Sequence, residues 1–118
     1  EMSLVNTNYE FNAFRTLQEV DQIYQMHPHI DHSYNIITYI DAVEDGGTAL
    51  YKVIPDRLRK NTEHENLLVD VSDSEFKVLP AKQNRTVIFK GDVYHAGYIN
   101  DYNAYKDNWR VTQVNFLR

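Results

Sequence analysis

The sequence predicts an all-β domain rolled from two sheets, a double-sheet jelly roll, on three observations. Eight short segments favour strands and are separated at regular intervals by turn-like or polar residues. The 9 Tyr and 5 Phe stand against only 4 Gly and 3 Pro, a balance that suits strands with short connections. Asp45-Gly46-Gly47 is the sharpest turn signal, because glycines reach the positive φ that a tight strand connection demands.

Taken in chain order, the elements begin with a helix. Phe11, Phe14 and Leu17 recur every third residue, with Asn12 placed to cap, so residues 11–19 are expected to form one short helix. Strands are then expected over residues 20–26, 34–42, 48–54, 67–71, 76–79, 86–89, 93–99 and 110–117, where β-branched, aliphatic and aromatic residues concentrate. Lys90-Gly91-Asp92 is expected to turn the chain in the same way as Asp45-Gly46-Gly47. The stretch 55–66 has no strand pattern and reads as a solvated loop or one short helix. Its charges, like those of the acidic turn 70–75, are read as serving solubility.

At 118 residues the chain forms one domain, 1–118, with 1–19 as an N-terminal support segment. Hydrophobic residues make up 42% and charged residues 25%, an ordinary globular balance that argues against disorder. Cysteine is absent, which excludes disulfides and thiolate metal sites, so any metal must be held by nitrogen and oxygen. A net charge of -5 without a Lys/Arg cluster supports neither nucleic acid nor an anionic membrane as partner. No apolar run approaches a membrane span and no signal-peptide pattern opens the chain, so a cytoplasmic protein is expected. The opening Glu1-Met2 reads as an expression remnant or the start of a trimmed fragment.

Two motifs carry chemistry. In His29-Ile30-Asp31 the side chains of positions 29 and 31 share one face of an extended segment, together with His27, while His32 points the other way. Joined by His95, they make a set of two imidazoles and one carboxylate that can hold Fe(II) and leave coordination positions open for a co-substrate and oxygen. Downstream, Arg110 shares a strand face with Thr112, Val114 and Phe116. A guanidinium among apolar neighbours either snorkels or meets a partner in a pocket, and its fork matches a carboxylate, to which Thr112 can add a hydroxyl. Each motif taken singly is commonplace: a lone His-x-Asp is more often surface polarity, and a lone strand-edge His is more often merely hydrogen-bonded. His27 with His29 also makes a cupin-like His-x-His pair, but no glutamate follows at the cupin spacing, so His27 is expected beside the ligands rather than among them.

The ordered segments His29-Ile30-Asp31, Tyr39-Ile40-Asp41, Gly46-Gly47-Thr48-Ala49-Leu50-Tyr51, Asn84-Arg85-Thr86-Val87-Ile88-Phe89, His95-Ala96-Gly97 and Arg110 to Phe116 resemble the Fe(II)/2-oxoglutarate dioxygenase superfamily, within it the prolyl-hydroxylase-like branch and its uncharacterised relatives. The resemblance covers roughly residues 20–118. It implies a double-stranded β-helix with little N-terminal helix, His29, Asp31 and His95 as iron ligands, and Arg110 as partner of the distal carboxylate of 2-oxoglutarate. It further implies Tyr39 as a co-substrate contact and assigns Asn84 and Arg85 no firm role. The expected protein is therefore a dioxygenase that uses Fe(II), 2-oxoglutarate and molecular oxygen to hydroxylate an unidentified small-molecule or peptide substrate. A cupin-like metal-binding protein and a non-catalytic jelly-roll binding module are the alternatives, and the sequence leaves the oligomeric state open.

Overall fold

The computed structural model describes residues 8–14, 22–31, 33–59, 68–106 and 108–117. Its described residues are mostly β. Nine strands follow in order: β1 (Asn8–Phe14), β2 (Tyr24–Met26), β3 (Tyr34–Asp41), β4 (Gly47–Val53), β5 (Leu68–Asp70), β6 (Glu75–Pro80), β7 (Thr86–Lys90), β8 (His95–Tyr98) and β9 (Arg110–Leu117). One helical turn, α1 (Asp56–Arg59), and one 3₁₀ turn at Tyr102–Tyr105 interrupt them. Among the described residues no helix is long and apolar enough to cross a membrane.

All strand pairs are antiparallel. A four-stranded sheet runs β1-β9-β3-β7, a three-stranded sheet runs β6-β4-β8, and β2 pairs with β5. The two larger sheets meet face to face through side chains rather than ladders. Tyr39 of β3 reaches Thr48 of β4, and Asn35 of β3 and Phe89 of β7 both touch His95 of β8. The opposite face of β4 and β8 packs Ala49, Tyr51 and Ala96 against Ile54, Leu58 and Val71, the main apolar cluster. Period-two alternation thus sends Thr48 and His95 to the site and Ala49 and Ala96 to the core.

The expected helix over 11–19 is overturned in its first part, because residues 8–14 form the edge strand β1, paired along its whole length with β9. Asn12 lies inside that strand and caps nothing, while Leu17 falls outside the described residues. Polar and apolar residues alternate through Asn8-Tyr9-Glu10-Phe11-Asn12-Ala13, and an open edge of β9 rewards that period more than a three-residue spacing rewards a helix. The strand expected over 20–26 shortens to Tyr24–Met26 after a turn at Gln22 and Ile23, with residues 20 and 21 outside the described set. Of the stretch 55–66, Asp56–Arg59 is helical with Leu58 buried, and the remainder from 60 onward is not described.

The Asp45-Gly46-Gly47 turn forms as expected. Gly46 and Gly47 have φ of 62 and 145, and a β-carbon on either would overlap backbone of Tyr98 or Leu79. The Lys90-Gly91-Asp92 turn also forms, with Val93 N–H donating to Lys90 O (3.2 Å), but Gly91 serves it in another way. Its φ is not positive; instead its bare Cα lets the chain approach the segment after His29, where a β-carbon would stand 2.2 Å from the Ser33 carbonyl oxygen and 2.9 Å from Asp31 Cβ. Gly91 N–H donates to Ser33 O (2.7 Å) and Asp31 N–H donates to Gly91 O (2.6 Å), which tethers Asp31 to the turn ahead of His95.

Candidate metal centre

Two separate pieces of backbone deliver the triad. Leaving β2, the chain passes His29, which exchanges both backbone hydrogen bonds with His95 at 3.0 Å each, so the two imidazoles project to one side. Their ring centroids lie 4.4 Å apart at 60°. Asp31 follows, clasped by Gly91, and its Oδ2 stands 3.1 Å from His95 Nε2 and 3.9 Å from His29 Nε2. One donor atom from each of the three falls within 4.8 Å of the others, and among the described residues no other group of His, Asp and Glu converges in this way. Adjacent ligands of an octahedral ion with bonds of ~2.1 Å lie about 3 Å apart, so the donor set fits a divalent cation after a small inward movement of His29.

The electrostatics suit that use. Chiefly the hydrogen bond with His95, and to a smaller degree the Asn35 amide and the charge of the two imidazoles, hold the Asp31 carboxyl below the usual carboxylate range against the opposing effect of burial. It is therefore an anion at neutral pH. His95 is 4% exposed and donates from Nδ1 to Val93 O at 2.6 Å, which leaves Nε2 as the nitrogen that faces Asp31. Packing against Phe89, with centroids 4.7 Å apart, fixes the ring further. His29 and Asp31 are only part-buried, and beside Asp31 a cleft of about 440 Å³ lined by Ser33, Tyr34, Lys90, Gly91, Asp92 and Leu117 opens to solvent.

Arg110 lies deeper. It is 4% exposed, its Nη2 donates to the Tyr39 hydroxyl at 3.4 Å, and its guanidinium carbon sits 5.0 Å from the Tyr39 ring centroid. Burial pushes its pKa down, with the phenols of Tyr39 and Tyr105 and the Asp45 carboxylate acting the other way. Tyr39 is fully buried and shares a 2.6 Å hydroxyl hydrogen bond with Thr48. Thr112, 6% exposed, is the cross-strand partner of Tyr39. Gly97 joins the two halves: it follows His95 by one strand repeat of roughly 7 Å, and a β-carbon there would stand 3.5 Å from Arg110 Nη1. Metal ligands and guanidinium thus flank the same stretch of β8, with Met26 Sδ also against Gly97, 3.2 Å from where a β-carbon would stand.

The six residues expected from sequence fall into two neighbouring groups, His29, Asp31 and His95 in one and Tyr39, Arg110 and Thr112 in the other. Asn84 and Arg85 acquire a structural task. Asn84, at φ 67, donates from its backbone N–H to Tyr39 O (2.7 Å), and Arg85 O accepts from Tyr39 N–H (2.9 Å), so the pair secures the end of β3. Two contributors escaped the sequence reading. Thr48 was visible only as part of the Gly-Gly-Thr turn, and Asn35 not at all, although a polar residue in step with Ile37 and Tyr39 on the inward face of a strand is a signal in itself.

His27 does not join the ligand group. It is 6% exposed and its Nδ1 donates to Pro28 O at 2.8 Å; His32 lies outside the described residues. Replacing His27 by Ala is expected to leave Mn(II) affinity within about tenfold of the parent, as for a residue next to a ligand set. Calorimetric titration checks this, and total loss of metal in His27→Ala with Asp31→Ala tolerated would move the site to a His27/His29 pair.

The chain matches no protein-family model, no curated protein and no solved structure.

Proposed function

We propose that the protein is an Fe(II)- and 2-oxoglutarate-dependent oxygenase built on a double-stranded β-helix. The observation that carries this reading is the pairing of a His29/Asp31/His95 donor set with the buried Arg110 guanidinium across Gly97. Two imidazoles, one carboxylate and no thiolate suit Fe(II) with coordination positions to spare. Oxidation of a substrate C–H bond, with release of succinate and carbon dioxide, is the chemistry that iron and 2-oxoglutarate supply when bound.

The chain's own residues have distinct tasks. Asp31 contributes the single negative charge at the metal, and the Val93 carbonyl holds His95 with Nε2 presented to it. Arg110 receives the distal carboxylate by charge-assisted hydrogen bonds, while Tyr39 and Thr112 supply hydroxyls at the same end. Gly97 places no side chain of its own between the two ends, so the flexible Met26 side chain beside it is the group a co-substrate would displace. Face-to-face packing of the two larger sheets keeps bulk water from Arg110, whereas the part-exposed side of His29 and Asp31 admits the organic substrate.

Anaerobic loading with Fe(II), addition of 2-oxoglutarate and exposure to oxygen are expected to yield succinate in an iron-dependent manner. Metal binding that is indifferent to 2-oxoglutarate, with no succinate formed, would leave a metal-binding protein of cupin type in place of an oxygenase.

A further inference from the structure

Asn35 stands against two of the three candidate metal donors, Asp31 and His95. Its side chain is 1% exposed, and its Nδ2 lies 3.0 Å from Asp31 Oδ2 and 3.1 Å from His95 Nε2, the two atoms that also face each other. Its Oδ1 is buried with no hydrogen-bond partner. The backbone around it cannot relieve it, since Asn35 is fixed between Phe89 on β7 and Phe116 on β9.

The amide's two ends are sterically equivalent, and a half-turn about its last side-chain bond exchanges them. One orientation aims Nδ2 at Asp31 Oδ2 and at His95 Nε2. The other aims Oδ1 at the same point, where oxygen would be repelled by Asp31 Oδ2 unless a cation lies between them. Resting on the reading of His29, Asp31 and His95 as a metal site, we infer that Asn35 ligates the metal through Oδ1, as a neutral fourth protein donor. Asn35 would thus hold the ion together with His29, Asp31 and His95. A hard oxygen donor of this kind suits Mn(II), Fe(II) and Co(II).

A donor and a mere brace of Asp31 respond oppositely to substitution. Asn35→Asp keeps an oxygen at the same place but removes the N–H that reaches Asp31, so a brace is destroyed while a ligand is strengthened by charge. The experiment is calorimetric titration of Mn(II) and Co(II), without co-substrate, into the parent, Asn35→Ala, Asn35→Leu, Asn35→Asp and Asp31→Ala, each checked for folding by circular dichroism. The expected result is a loss of about tenfold or more in affinity for Asn35→Ala and Asn35→Leu. For Asn35→Asp, affinity equal to or above the parent is expected, with a Co(II) visible spectrum that matches the parent's and differs from that of Asn35→Leu. Asn35→Leu, which fills the strand position, decides the matter if Asn35→Ala does not fold. Unchanged or tighter binding in the Ala and Leu variants, or weakened binding in Asn35→Asp, overturns the ligand role of Asn35 while loss in Asp31→Ala upholds the triad. Retained binding in Asp31→Ala overturns both.

Discussion

Asp31→Ala is expected to abolish stoichiometric metal binding, and His29→Ala to do the same. Asp31 brings the one negative charge to the donor set, and its Oδ2 faces Nε2 of both imidazoles. Losses at residues that only orient a ligand run about 10–100-fold, so deletion of a ligand must exceed that range. Folding should survive, because the backbone holds the segment independently of either side chain: Asp31 N–H is bonded to Gly91 O, and the His29 and His95 peptides pair directly. Asp31→Asn separates charge from shape, since the amide fits the same space, and it should bind metal far more weakly than the parent. Elemental analysis after anaerobic loading with Fe(II) or Mn(II) reads the outcome. One equivalent retained in both Ala variants would show that the triad is misassigned and would turn attention to His27 with His64, which lies outside the described residues.

How far the site could be read from sequence depended on whether a residue's role is local. Strand β9 spans the same residues, 110–117, that its pattern predicts, and β3 differs from its expected range only by ending at Asp41. Inward positions follow directly from such a pattern: Arg110, Thr112 and Val114 are buried in alternation with half-buried neighbours. Strand ends set by turns were harder. β8 begins at His95 and not at residue 93, because Val93 N–H closes the turn onto Lys90 O. The edge strand β1 was misread because its period-two pattern competes with a three-residue spacing of Phe11, Phe14 and Leu17, and only the partner strand decides between them. For Asn35 the strand pattern marks an inward polar residue but not its partner: that comes from His95, 60 positions away, across a sheet-to-sheet contact that no local pattern encodes.

Arg110→Ala should separate co-substrate binding from metal binding. The guanidinium is buried beside Tyr39 and Gly97, away from the solvent-facing side of His29 and Asp31, so its removal should leave the metal donors in place. In the protein proposed here it makes a charge-assisted, forked interaction with the distal carboxylate of 2-oxoglutarate. Its loss strands that carboxylate in a dry pocket at a cost of about 2–5 kcal/mol, which corresponds to roughly 30-fold to several thousand-fold in affinity. Arg110→Lys restores the charge without the planar fork and should recover only part of the loss. The Ala variant also empties a buried volume between β9 and β8, so its thermal midpoint is expected to fall, and circular dichroism must establish folding before affinity is compared. Titration of 2-oxoglutarate into the Fe(II)-loaded proteins under anaerobic conditions then decides. A folded, metal-loaded Arg110→Ala protein that binds 2-oxoglutarate as tightly as the parent would remove Arg110 from the co-substrate site and leave the metal centre without its link to oxygenase chemistry.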